Sequence, residues 1–117
     1  MGIGSSDVEE GGRNALEKAI HRMWGQFLPD LQERVALMES AARALTAGSC
    51  TPQQLEEAYF AAHKLAGVLG TFGLMEGTKL AREAENLYAA GAERTAQESA
   101  RLESIAAQLG RMIADRP

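Results

Sequence analysis

Two histidines, His21 and His63, and one cysteine, Cys50, are the side chains of this sequence best suited to nucleophilic or metal chemistry. A neutral imidazole keeps a ring-nitrogen lone pair and can act as a nucleophile without a separate base. Metal chemistry is poorly served, because two histidines and one thiol are too few for a closed four-ligand zinc site, and a single cysteine forms no internal disulfide. The Glu-x-x-His pairs of di-iron carboxylate bundles are absent: Lys18 stands three residues before His21 and Phe60 three before His63. Neither the glycine spacing of a nucleotide-binding loop nor that of a kinase occurs, so the chain is expected to bind no ATP and to need no cofactor or metal of its own.

The two histidines differ in their neighbours. On a helical wheel of about 100° per residue, Leu55, Ala58, Ala62, Leu65, Ala66 and Leu69 fill an arc of roughly 100°, the width of a core-facing stripe. His63 lies outside that arc, with Gly67 about 40° to one side and Gly70 about 20° to the other. Helix-interior glycine costs roughly 1 kcal/mol relative to alanine, so two glycines beside one nucleophile read as clearance for an approaching macromolecule. The plainer explanation has Gly67 serving close helix packing, Gly70 fraying a helix end and His63 as a surface histidine. His21 is also followed four residues later by a glycine, Gly25, but Arg22, Met23 and Trp24 crowd it and no second glycine shares its face.

Helices must carry these positions. Alanine, leucine, glutamate and glutamine are abundant, strand-favouring residues are sparse, and proline occurs only at Pro29, Pro52 and Pro117. Apolar residues recur at Leu16, Ile20, Met23 and Phe27, and then, after an expected phase break near Pro29, at Leu28, Leu31, Val35, Met38, Ala42 and Leu45. This predicts a short helix followed by a longer one. Gly48-Ser49-Cys50 reads as a turn, and Thr51-Pro52-Gln53-Gln54 as a helix start with a capping box, ahead of the helix that carries His63 and ends around Gly70, Thr71 and Gly73. A further stripe, Leu74, Leu80, Ala81, Ala84, Leu87 and Tyr88, is expected to close at Gly91, and a last one runs through Leu102, Ile105, Ala106, Leu109, Met112 and Ile113. The fold class implied is all-α, an antiparallel up-down-up-down four-helix bundle with a shorter additional N-terminal helix.

With 117 residues, 45% of them hydrophobic and 24% charged, the chain suits one domain with a real core. Residues 1–12, rich in Gly, Ser and acid, read as a flexible leader or linker, and 13–117 as the bundle. The first six residues formally match a myristoylation pattern, too short and permissive a motif to carry weight. Lys+Arg number 12 against Asp+Glu 16, a net charge of -4, which argues against nucleic acid as a partner. No apolar run suits a membrane span and no export signal leads the chain, so a cytoplasmic monomer is expected.

His63-Lys64-Leu65-Ala66-Gly67, then Phe72-Gly73, then Leu80, Ala81 and Glu85, resemble the signature of histidine-containing phosphotransfer (HPt) domains, over about Ala61 to Asn86. The resemblance implies a four-helix bundle whose histidine accepts and donates phosphoryl groups, with His63 as acceptor and Gly67 as the clearance residue; Gly70 on the same helix face and the neighbouring Lys64 are expected to share the docking surface. The implied partners are receiver domains of response regulators, which would bring the metal, and a sensor histidine kinase. Three positions depart from the family's usual pattern: Ala66 where many members have lysine, Val68 and Leu69 where small polar residues often follow the glycine, and Gly77 where a hydrophobe is commoner. The departures leave open which basic side chain steadies a phosphoryl group; Lys64, Lys79 and Arg82 form a candidate rim. The competing class is a non-catalytic adaptor bundle that binds partners through its helices and does no chemistry at His63.

Overall fold

The structure, a computed structural model, describes residues 2–89 and 94–117, with side chains from residue 11 onward. The described residues form four helices and no strand: α1 (Gly2–Ala47), α2 (Pro52–Thr71), α3 (Met75–Ala89) and α4 (Ala96–Asp115). Helix α1 packs on α2 and α4, and α3 packs on α2 and α4. The core consists of stripes from all four, with Leu31, Met38, Leu65, Leu69, Leu102, Ile105 and Leu109 wholly buried.

The separate short helix expected before Pro29 does not form; α1 runs unbroken through the proline. Its apolar spacing explains this. Trp24, Leu28, Leu31, Val35, Met38 and Ala42 follow one another by three or four residues, a single stripe that crosses Pro29 without a phase break. Trp24 is buried and packs edge-on against Phe72 (5.1 Å between centroids), and Phe27 does the same at 5.9 Å. The Arg116 guanidinium lies over the Trp24 ring at 4.6 Å. Tertiary contacts on both sides of Pro29 thus hold the helix against a local cost of about 3 kcal/mol. Leu16 and Met23, read as part of the first stripe, are instead exposed.

At 46 residues α1 is far longer than α2 or α4, at 20 residues each. At 1.5 Å per residue it spans about 69 Å against about 30 Å, so its amino-terminal part, including the backbone of the segment read as a leader, reaches beyond the bundle as helix.

The capping box expected at Thr51 is present: the Gln54 amide donates to Thr51 Oγ1 (3.1 Å), and Gln54 Oε1 accepts from the Thr51 amide (2.9 Å). A second box, unexpected from the sequence reading, opens α4, where Thr95 and Glu98 exchange the same pair of bonds. Gly48 (φ 71°) and Gly73 (φ 78°) take the left-handed backbone that ends α1 and α2. The cap expected at Gly91 lies outside the described residues.

The turn at Phe72, Gly73 and Leu74 is closed by a bond from the Leu74 amide to the Leu69 carbonyl (2.9 Å), and it brings α3 back along α2. Contact between them is close because Gly77 has no side chain: Leu69 Cδ1 lies 3.0 Å from where a Cβ would stand. Glycine at this position therefore has a packing reason. Thr78, buried in the same seam, donates to the Ala66 carbonyl at 2.9 Å. This register sets Glu85 opposite His63.

Candidate functional site around His63

His63 stands in the middle of α2 with its side chain 67% exposed, while Ala62, Leu65 and Ala66 around it are buried. The face expected to lie off the core does so. Glu85 of α3 reaches the ring, its Oε1 2.9 Å from Nδ1, and is itself only 21% exposed. A carboxylate oxygen only accepts, so Nδ1 carries the proton in this contact, and in the neutral ring the lone pair is on Nε2. Nε2 has no hydrogen-bond partner among the described residues. The ring is thus oriented at one nitrogen and open at the other. Tyr59, one turn earlier, lies nearly parallel to the imidazole (13°) at 6.4 Å.

The glycines divide. No atom of another part of the fold lies within 4 Å of where a Gly67 side chain would begin, so the helix is bare and open there. At Gly70 the same position is 3.1 Å from Thr78 Oγ1, in the seam with α3. Gly67 is therefore open, whereas glycine at Gly70 has a packing reason in the seam with α3.

His63, Ala66 and Gly67 of α2, with Arg82, Glu85 and Asn86 of α3, border a hollow of about 410 Å³. The hollow is open and evenly mixed in polarity, suited to a polar group delivered from outside. Lys64 is exposed but does not border it. Of the three cations in the expected rim, Arg82 is the one at the hollow; Lys79 stands 3.8 Å from Glu76 on the solvent side of α3.

His21 is exposed on α1 and borders a different hollow with Glu17, Ile20 and Phe72. Cys50 is half-buried in the loop before α2, and burial pushes its thiol above the ordinary value, the opposite of activation. Among the described residues no group of three or more His, Cys, Asp or Glu is placed to hold a metal ion.

In the sequence Glu85 stands out only as part of the family signature, and nothing marks Asn86 as a site residue. Their spacing is legible: Arg82, Glu85 and Asn86 are related as i, i+3 and i+4, which puts them on one face of α3. The register of α3 against α2, which that spacing does not contain, aims the face at His63.

The family described as Hpt domain matches residues 22–115. Protein RcaC of Microchaete diplosiphon is 35% identical over 66 residues, covering 56% of this chain and 10% of that protein, so the chain spans about a tenth of the relative's length. No solved structure matches. Among the described residues no helix is long and apolar enough to cross a membrane.

Proposed function

Since the chain belongs to the Hpt domain family, a family of phosphoryl carriers rather than kinases, we propose that His63 accepts a phosphoryl group from the aspartyl phosphate of a response-regulator receiver domain and returns it to another. The observation that carries this reading is the imidazole itself: oriented through Nδ1 by Glu85, open at Nε2, and set beside the bare helix at Gly67.

The chemistry balances without a protein base. The Nε2 lone pair forms the N–P bond as the acyl O–P bond breaks, and the aspartate leaves as a carboxylate with the bonding electrons. The proton on Nδ1 stays in place, so the phosphorylated ring is cationic and the Glu85 carboxylate faces that charge. Because the phosphorylated ring is cationic, it departs as a neutral imidazole, a good leaving group, which keeps the phosphoryl transferable in both directions. In-line transfer of this kind is chiefly a matter of position and charge.

Gly67 gives the receiver's active site room to reach Nε2, and exposed Lys64 stands beside it as a docking cation. Residues 13–117 act as the phosphotransfer unit, an antiparallel up-down-up-down bundle, with 1–12 as a leader or linker. The protein works as a monomer in the cytoplasm, and a sensor histidine kinase supplies phosphoryl groups further upstream.

The test is transfer from a phosphorylated receiver to variants of the chain. His63→Gln is expected to lose labelling with little change in stability, less than about 0.5 kcal/mol for an exposed polar exchange, and His21→Gln to label normally. A His63→Gln chain that still takes up acid-labile, base-stable phosphate overturns the proposal.

A further inference from the structure

A phosphoryl group on Nε2 brings a charge of about -1.5 to -2 and three acceptor oxygens into the hollow beside His63. The Glu85 carboxylate already faces that space, and a second anion there is repelled unless a cation offsets it. Helix α2 supplies none: besides His63 it contributes only Ala66 and Gly67 to the hollow. Helix α3 contributes Arg82 and Asn86, one turn below and one residue beyond Glu85.

Most basic side chains near this face are engaged or turned elsewhere. Lys79 approaches Glu76, Arg101 is held by both oxygens of Glu83 at 2.5 and 2.8 Å, and Lys64 is not at the hollow. Arg82 has no carboxylate partner among the described residues, although Glu85 is three residues away on the same face. An exposed, unpaired guanidinium bordering the same space as an oriented imidazole is suited to a tetrahedral anion, because its planar fork of donors spans two phosphoryl oxygens.

We infer that Arg82, assisted by the Asn86 amide, forms the phosphoryl-binding site of this domain and holds the oxygens of the group carried on His63. The inference rests on His63 as the acceptor and goes beyond it, since it assigns the stabilising charge to α3. Glu85 and Arg82 then divide the work on one helix face: the carboxylate orients the ring, and the guanidinium neutralises what the ring carries.

The experiment compares the unaltered chain with Arg82→Gln, Arg82→Lys and Lys79→Gln. Each is phosphorylated chemically with phosphoramidate and separately equilibrated with a phosphorylated receiver. Melting temperatures establish that the folded fraction is unchanged. Arg82→Gln is expected to shift the equilibrium toward the phospho-receiver by about fivefold to tenfold, the range of a charge-assisted hydrogen bond at an open site. It is also expected to move the phosphorus-31 resonance of the chemically phosphorylated chain. Arg82→Lys should restore part of the equilibrium and Lys79→Gln should leave both readouts alone. If Arg82→Gln changes the equilibrium less than twofold and leaves the resonance in place, the assignment of Arg82 is overturned while the function stands. If the unaltered chain takes no phosphoryl on His63 from either donor, the functional reading falls and this one with it.

Discussion

At the scale of single residues, two glycines on one helix make opposite predictions. Gly67 faces open space, so Gly67→Ala should raise stability by about 1 kcal/mol through helix propensity alone. Gly70→Ala brings a methyl to 3.1 Å from a threonine hydroxyl already committed to the Ala66 carbonyl. That contact should cancel the gain, leaving Gly70→Ala less stable than Gly67→Ala by about 1 to 3 kcal/mol in a urea titration. Transfer should separate the same positions in the other direction. Gly67→Gln keeps its fold yet blocks transfer from a receiver, and Gly70→Ala transfers normally per folded molecule; a Gly67→Gln chain of normal transfer rate would retire the clearance role. Glu85 makes a third prediction. Glu85→Ala removes the carboxylate that accepts from Nδ1–H, and acceptance from a receiver should slow about tenfold, the worth of one charge-assisted hydrogen bond. Nitrogen-15 shifts of His63 should show the loss of the single tautomer, and an unchanged ring with an unchanged rate would contradict the role given to Glu85.

At the scale of elements, the turn signals were legible and the first helix was not. Thr51-Pro52 with Gln54 announced α2 because a cap is a local matter of three or four residues. The wheel placed His63 off the core because α2 has one well-defined apolar arc. The local penalty of Pro29 points to a break because it contains nothing of Trp24, whose place in the stripe depends on packing against Phe72 across the bundle. The Glu85 contact was out of reach for a similar reason, requiring the α2–α3 register that Gly77 and Thr78 set. If packing rather than propensity carries α1 through Pro29, then Pro29→Ala should stabilise the protein, by up to about 3 kcal/mol. A chain unchanged or weakened by Pro29→Ala in denaturant unfolding would show that the proline suits a bend the bundle needs. At α4, Thr95→Ala removes a cap and should cost about 1 kcal/mol.

For the whole molecule, two carboxylates bind stability to pH. Hydrogen bonds from Arg101 hold Glu83 below the usual carboxylate value, and the Thr95 cap does the same to Glu98. A carboxyl whose folded pKa is depressed stabilises the fold fully above its unfolded value, near 4.3, and that contribution disappears as pH falls through the folded value. The melting temperature should therefore hold near neutrality and decline on acidification below about pH 4 to 5, with a shallower decline in Glu83→Gln. On the proposed reading, the architecture keeps one imidazole in one orientation on an open helix face. The direct test of that claim is the position of the phosphorus atom after the unaltered chain has been incubated with a phosphorylated receiver. Nitrogen–phosphorus NMR of the product should place it on Nε2 of His63, with the proton still on Nδ1. Phosphorus found on Nδ1, on His21 or on any other side chain would contradict the account.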